Sequence, residues 1–280
     1  MTVQQINEGI ELLNNINPDD PNAYTDAILA YKKIKYIPFF ILDFPNLPIQ
    51  VFRTRTHQND ELYENFSDIG LAPSAVTTNY GRCNIPGQPV FYCSDFRPTS
   101  YMELLEYWVT EKKGEYLHAT ISKWNINNSL RVLIVTSPFV QERISPYDRS
   151  HGEKLDRFIQ NNPNETRSAL EIFYKFLFDR FRKPAKNDLQ TYIITSAYCN
   201  LAFEQNKFPV DAIFYPSVPF DGEGLNLAIK MGYDFENNLQ LELVARNTFK
   251  RVDATSVPSF EEIALKEAKT INFDNKKIGW

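Results

Sequence analysis

The chain has 280 residues, of which 43% are hydrophobic and 14% aromatic, and its formal net charge is −5. This length suits one large or two small globular domains, and the acidic balance excludes a general electrostatic attraction to nucleic acid. Three cysteines without metal-ligand spacing argue against a disulfide framework and a zinc site. The N-terminus lacks a signal-peptide pattern, and no apolar segment approaches the about 20 residues that cross a bilayer. We therefore expect a cytoplasmic protein that binds neither membrane nor nucleic acid directly.

Helical patterns dominate the N-terminal part of the chain. Apolar residues recur at helical spacing within residues 3–15, and residues 26–35 form a second, shorter pattern of the same kind. Prolines at positions 45 and 48 end this region. We predict an N-terminal helical extension over residues 1–47, whose ordinary role would be to pack against the remainder of the chain.

Strands and helices are mixed in the rest of the sequence. Short apolar or alternating segments predict strands at residues 49–55, 90–93, 116–123, 130–136, 211–215, 225–230 and 239–244. Helical periodicity predicts helices at residues 99–113, 166–182, 189–205 and 260–269, and the polar stretch 143–152 predicts a loop. No regular strand–helix–strand repeat is present, which favours an α+β fold. We predict a catalytic domain over residues 48–233, with a C-terminal strand and helix over 234–280 packed on it.

The segment GRCNIPG at residues 81–87 is the first candidate for a binding site. Gly81 and Gly87 permit backbone conformations that other residues avoid, and a loop of this kind can expose successive N–H groups to an anion. Arg82 adds a planar, permanently charged fork that suits phosphate. On the local pattern alone, a structural turn with a surface arginine remains the favoured interpretation.

Two further polar residues stand next to apolar strands. Glu103 lies early in a predicted helix, where the helix dipole favours a carboxylate. Glu106 follows three residues later, and because residues at this spacing share a helix face only loosely, one of the two can point inward and the other to solvent. Ser217 ends the strand at residues 211–215 in a Tyr-Pro-Ser turn and is not part of a nucleophile elbow. The three histidines are scattered, so neither a zinc hydrolase nor a local Ser-His-Asp arrangement is supported.

Taken in order, these segments resemble the RES domain family, which is named for its arginine, glutamate and serine. The resemblance rests on GRCNIPG, the strand PVFYCS, the helix motif MELL, the strand AIFYPSV and the segment GLNLA. It covers about residues 52–230 and implies an ADP-ribosyltransferase-like RES fold, with a mixed, split β-sheet core flanked by helices. The sequence departs from the family pattern at Cys83, where an aromatic residue is common, and at Pro219, where arginine is frequent.

The resemblance also implies roles for individual residues. The expected catalytic residues are Glu103, Arg82 and Ser217, and the substrate-binding residues that the resemblance implies are Arg53, Arg55 and Asn226. Tyr92 and Tyr215 are also expected to bind substrate, because their rings can stack on nicotinamide or adenine, although a tyrosine in these segments is more often part of the core. Arg53 and Arg55 are alternative counterparts of one family arginine on the opening strand. No metal and no cofactor are expected.

The implied activity is degradation of NAD as a substrate, by phosphorolysis or hydrolysis of the nicotinamide–ribose bond, with inorganic phosphate as a candidate co-substrate. Many family members are toxins that are paired with a Xre-type antitoxin, which would be the protein partner. Two alternatives remain open from the sequence. One is an ADP-ribosyltransferase that modifies a macromolecule, and the other is an inactive interaction module that keeps the scaffold.

Overall fold

The computed structural model describes residues 1–44, 49–57, 61–111, 114–183, 188–204, 209–217, 224–230, 232–233, 235–252 and 259–280. At positions 103, 106, 107, 110, 235 and 236 it describes the backbone alone. The described residues form helices α1 Val3–Asn14, α2 Ala23–Lys33, α3 Phe66–Ile69, α4 Arg97–Thr110, α5 Pro146–Gln160, α6 Asn164–Arg182, α7 Leu189–Phe203 and α8 Phe235–Asn238. Short 3-10 helices lie at Ser74–Val76 and Val140–Glu142.

The strands build one large sheet and a small hairpin-like pair. They are β1 Ile41–Phe44, β2 Ile49–His57, β3 Val90–Ser94, β4 Tyr116–Ile126, β5 Leu130–Ile134, β6 Ala212–Pro216, β7 Leu225–Lys230, β8 Leu239–Val252, β9 Ser259–Glu267, β10 Thr270–Asn272 and β11 Lys277–Gly279. The large sheet has nine strands in the order β1-β5-β6-β7-β3-β2-β4-β8-β9, and β10 pairs with β11. Only the β5–β6 pair of the large sheet is parallel among the described strands, so the sheet is mixed.

The large sheet is split between β2 and β3. These neighbours share a single registered pair, Phe52 opposite Ser94. On its other side, β2 pairs with β4 along its whole length, from Ile49 to His57. The α+β fold with a mixed, split sheet is therefore confirmed, and the split creates a gap between two strands that carry predicted site residues.

Helices from the N-terminal segment and from the middle of the chain cover the β5–β6 half of the sheet. Helix α6 buries Leu170, Phe173, Leu177 and Phe181, which recur every three or four residues as a helix facing a core requires. Helix α2 packs on α7, where the Tyr31 hydroxyl donates a hydrogen bond of 3.1 Å to the carbonyl of Ile194. The main hydrophobic core lies between these helices and the strands.

Helix α4 builds a second, smaller core on the other half of the sheet. Its Leu105, Trp108 and Val109 pack with Ala119 of β4 and Phe249 of β8. The helix begins at Arg97, so Pro98 occupies the first turn, where its missing N–H is not needed. This packing anchors α4 on the sheet, and the Ser100 hydroxyl, 2.7 Å from the Thr54 hydroxyl, holds its first turn against β2.

Two predicted elements are wrong. The polar loop at residues 143–152 is in fact the start of α5, because Ser145 accepts a hydrogen bond from the N–H of Asp148 and caps the helix ahead of Pro146. The terminal helix predicted at residues 260–269 is strand β9, which pairs antiparallel with β8 along most of its length. The C-terminal segment therefore adds strands to the sheet.

The N-terminal segment has the two predicted helices, and it also supplies β1, which forms one edge of the large sheet. The boundaries of the catalytic domain remain a prediction. Within the described ranges, no helix combines the length and the apolar character needed to cross a bilayer.

Candidate active site

A cavity of about 300 Å³ opens at the split between β2 and β3. Residues 52–54 of β2 and 92–94 of β3 form its floor, and the Gly81–Arg82 segment, the first turns of α4 and Tyr192 of α7 form its walls. Ligand pockets commonly have volumes of roughly 300–1,000 Å³. The cavity therefore has room for part of a dinucleotide.

Arg53 bridges the split in the sheet. Its Nη1 donates a hydrogen bond of 2.7 Å to the carbonyl of Tyr92 on β3, and its Nε donates one of 3.2 Å to the carbonyl of Ile69. The guanidinium also lies over the Phe91 ring, with Cζ 4.8 Å from the ring centroid. Burial, assisted by the neighbouring charge of Arg55, lowers the pKa of Arg53 to about 10. Arg53 is thus a fixed cation at neutral pH.

Arg82 is held on the cavity wall by the C-terminal end of α6. Its Nη1 and Nη2 each donate a hydrogen bond of 3.1 Å, to the carbonyls of Arg180 and Lys183 respectively. These carbonyls belong to the negative end of the helix dipole, which favours a cation. The guanidinium stands about 6 Å from the ring centroids of Tyr192 and Tyr215. Arg82 is 7% exposed, and it therefore presents its charge to the cavity from a rigid position.

The loop around Arg82 is fastened by Tyr92. The Tyr92 hydroxyl accepts a hydrogen bond of 2.7 Å from the N–H of Cys83 and donates one of 3.0 Å to Oδ1 of Asn84. Burial raises the pKa of Tyr92 well above its usual value, so the hydroxyl keeps the proton that it donates. A Cβ at Gly81 would overlap Asn84 Oδ1 and lie 2.9 Å from the Tyr92 hydroxyl. Through its hydroxyl, Tyr92 therefore positions the arginine loop. Stacking on a substrate ring would use the aromatic face and would not need these two hydrogen bonds.

Hydroxyl and amide groups line the floor between the two arginines. Ser94 donates a hydrogen bond of 2.8 Å to Oδ1 of Asn226, the residue opposite it on β7. The hydroxyls of Thr54 and Ser100 lie 2.7 Å apart and tie β2 to α4. Thr99 also lines the cavity. The site therefore combines two cations with neutral groups that both donate and accept hydrogen bonds.

The fold brings most of the predicted site residues together. Five of them line the cavity, namely Arg53, Arg82, Tyr92, Tyr215 and Asn226. Of the two alternatives on β2, Arg53 lines it and Arg55 does not. Ser217 is 1% exposed and lies beside the cavity-lining residues, with its N–H donating a hydrogen bond of 2.7 Å to the carbonyl of Gly224.

The predicted glutamate lies on the helix that walls the cavity. Position 103 belongs to α4 and is one turn beyond Thr99, and its neighbour Leu104 lines the cavity. The Glu103 side chain is outside the described part of the structure. Its role as a catalytic residue remains a prediction.

Several cavity residues were missed by the sequence analysis. Tyr192 lies on α7, 110 residues after Arg82, and no local motif marks it. Thr99 and Ser100 stand at the start of the helix predicted at residues 99–113, whereas α4 begins two residues before Thr99, at Arg97. Polar residues directly ahead of the helix motif MELL were the signal that could have identified them.

The charges of the described lining residues suit an anion. Arg53 and Arg82 contribute the cations, and no carboxylate is found among the described side chains that line the cavity. Groups of three or more His, Cys, Asp or Glu arranged for a metal are likewise absent from the described ranges. Two guanidinium groups, aromatic rings and hydroxyls together can bind a molecule that carries phosphate, ring and sugar groups.

Comparison with known proteins gives one family and one solved structure. The family model described as RES domain matches residues 50–236, which is more than half of the chain. A chain of the M. tuberculosis MbcT–MbcA toxin–antitoxin complex is similar at 14% sequence identity and a TM-score of 0.35, and the match covers 80% of the present chain and 91% of that chain. No curated protein matched the sequence. Because the similarity to the solved structure is low, the family of this chain is assigned from the family match alone.

Proposed function

Because the chain belongs to the RES domain family, we propose that it is an enzyme that degrades NAD by cleaving the nicotinamide–ribose bond. The observation that carries this proposal is the cavity at the split of the sheet. It gathers Arg53, Arg82, Tyr215 and Asn226 from four separate parts of the chain. NAD offers a pyrophosphate for the arginines, sugars for the hydroxyl and amide groups, and rings for the aromatic side chains.

The two arginines have separate tasks in this proposal. Arg53 on the floor and Arg82 on the wall of the cavity are fixed by backbone carbonyls, and contacts with described residues use two N–H groups of each guanidinium. A guanidinium has five N–H groups, so each can also bind phosphate oxygens. One arginine then holds the pyrophosphate, and the other holds either the second phosphate or an incoming inorganic phosphate.

Glu103 is the proposed catalytic residue. Departure of nicotinamide leaves positive charge on the ribose, and a nearby carboxylate stabilises such an oxocarbenium-like transition state, as it does in glycoside hydrolysis. The same carboxylate can orient the water or phosphate that attacks the ribose. The position of residue 103, one helical turn beyond the cavity-lining Thr99, supports this role.

Ser217 and Asn226 complete the proposed set as positioning groups for the ribose or the nicotinamide amide. Asn226 already receives a hydrogen bond from Ser94, which fixes the orientation of its amide toward the cavity floor. Nothing among the described neighbours of Ser217 activates it as a nucleophile, and its N–H is engaged with Gly224.

We further propose that the protein acts as the toxin of a toxin–antitoxin pair, with a Xre-type antitoxin as its partner. The support for this step is membership of the RES family, and NAD loss would be the toxic event. Growth arrest on expression, accompanied by NAD loss and relieved by Glu103→Gln, is the expected result. Arrest that persists in the Glu103→Gln variant without NAD loss would contradict it.

The reaction is tested by incubating the purified protein with NAD, with and without inorganic phosphate, and analysing the products by mass spectrometry. ADP-ribose-1″-phosphate that forms only with phosphate indicates phosphorolysis, and ADP-ribose formed in both samples indicates hydrolysis. Label that moves from NAD to a macromolecule would instead indicate ADP-ribosyl transfer.

Glu103→Gln should remove the activity, while Glu106→Gln on the same helix is the matched control and should retain it. The reverse pattern would assign the catalytic role to Glu106. Intact NAD after incubation with folded wild-type protein would refute the proposed function.

A further inference from the structure

Thr99 is a buried residue whose hydroxyl has no partner among the described residues. It lies in the first turn of α4, is 4% exposed, and lines the cavity. Its Oγ1 is shielded from solvent and makes no hydrogen bond to any described group. The great majority of buried polar side-chain atoms do have a partner, so an exception calls for an explanation.

The surroundings of Thr99 hold this hydroxyl in place. Gly224 packs against it so closely that a Cβ at position 224 would overlap Thr99 Oγ1 and lie 2.7 Å from its Cγ2. The next residue behaves differently, because the Ser100 hydroxyl donates to the carbonyl of Arg97 at 2.7 Å and also contacts the Thr54 hydroxyl. The hydroxyls of Thr54 and Ser100 therefore have hydrogen-bond partners within the protein, whereas that of Thr99 on the cavity wall is left for another molecule.

The chemistry of the cavity indicates which group that molecule supplies. Arg53 and Arg82 provide charged donors, which match phosphate oxygens. A threonine hydroxyl is neutral and both donates and accepts a hydrogen bond. A sugar hydroxyl has the same two capacities, so it can satisfy Thr99 fully.

Resting on the proposed function, we propose that Thr99 is a substrate-binding residue whose hydroxyl forms a hydrogen bond with a ribose hydroxyl of NAD in the cavity. The substrate then supplies the partner that the described protein does not. Gly224 keeps the threonine side chain in the orientation that this hydrogen bond needs.

The test compares Thr99→Val and Thr99→Ser with the wild-type protein. Thr99→Val keeps the shape and removes the hydroxyl, and it should lower kcat/KM for NAD by about tenfold or more, the usual range for a lost hydrogen bond to a buried group. Thr99→Ser should recover most of the loss. Thr56→Val is the matched control on β2, because Thr56 is exposed and outside the cavity. A kcat/KM for Thr99→Val within twofold of wild type would overturn the proposal.

Thermal unfolding separates this role from a structural one. Thr99→Val should melt at the wild-type temperature or above it, since the substitution removes a buried hydroxyl that lacks a partner. A structural role would instead lower the melting temperature together with the activity, and that result would overturn the proposal.

Deoxyribose analogues of NAD test the ribose assignment. With the analogue that lacks the contacted hydroxyl, wild type and Thr99→Val should have the same kcat/KM, because the hydrogen bond is already absent. If Thr99→Val lowers kcat/KM equally with every analogue, the ribose assignment is overturned.

If the wild-type protein leaves NAD intact, the proposed function fails on its own. Calorimetry with ADP-ribose then decides the matter, because weaker binding by Thr99→Val supports the contact and equal or undetectable binding by both proteins overturns it.

Discussion

Replacing Tyr92 with phenylalanine tests whether the arginine loop depends on one hydroxyl. The substitution removes a single oxygen from a side chain of β3 and leaves the ring in place. That oxygen accepts a hydrogen bond from the N–H of Cys83 and donates one to Asn84. Both partners are buried, and Asn84 keeps its other hydrogen bonds to the carbonyls of Asn79 and Ile85.

The expected magnitude follows from these two bonds. A buried donor or acceptor that loses its partner costs about 1–3 kcal/mol. The N–H of Cys83 and the Oδ1 of Asn84 both lose theirs, so Tyr92→Phe should lower the free energy of unfolding by about 3 kcal/mol. In a chain of this size that loss corresponds to a decrease of about 6–12 °C in Tm.

Urea unfolding of the two proteins measures the difference directly. Tyr174→Phe is a matched control, because the Tyr174 hydroxyl is also buried but makes no hydrogen bond to a described residue. Its loss should leave stability unchanged or slightly higher. If Tyr92→Phe changes the free energy of unfolding by less than about 0.5 kcal/mol, or no more than the control does, the reasoning about this loop is wrong.

Two further predictions concern the glycines of the arginine loop and Asp148 of α5. Gly81→Ala should destabilise the protein by more than Gly87→Ala, because the new Cβ overlaps Asn84 Oδ1, whereas Gly87 has open space and only its φ of +79° to strain; urea unfolding of both variants checks this. Burial raises the pKa of Asp148 from 3.8 to about 6 and lowers that of His151 from 6.5 to about 4. Between about pH 4 and pH 6 the folded protein retains a proton on Asp148 that the unfolded chain loses, so the contribution of Asp148 to stability falls as pH rises, and His151 contributes the opposite slope. Asp148→Asn removes the falling contribution, and its stability relative to wild type should increase by about 2 kcal/mol between pH 4 and pH 7, measured by urea unfolding across that range.

Equal stability losses for Gly81→Ala and Gly87→Ala would show that the loop around residue 81 adapts to a Cβ. A difference between Asp148→Asn and wild type that does not vary with pH would show that Asp148 is ionised in the folded protein at pH 4.

The secondary structure could be predicted where the sequence pattern is local. The prediction fails where strand pairing within the sheet determines the structure. Residues 260–267 are rich in Glu, Ala, Leu and Lys, which favour a helix. They form β9 because β8 offers a long free edge whose pairing outweighs this preference. The error at α5 has a different origin, since Ser145 followed by Pro146 is a helix start that the polar composition obscured.

The site could be predicted as far as its motifs extend. Arg53, Arg82 and Asn226 were found because they stand in recognisable segments, and the fold brings them to one cavity. Tyr192 was missed because only the tertiary packing of α7 delivers it there. Tyr92 also lines the cavity, but its hydrogen bonds to the arginine loop depend on a turn geometry that spacing alone does not reveal.

The strands at the two edges of the large sheet come from outside the family-matched residues. β1 at one edge and β8–β9 at the other lie beyond residues 50–236. A protein cut to the matched region would leave β4 and β5 with unpaired backbone groups at the two edges of the sheet. Bare apolar edges recruit strands from other molecules. The terminal segments therefore cover the edges that would otherwise pair with strands of other molecules, and a shortened version of this protein has to keep them.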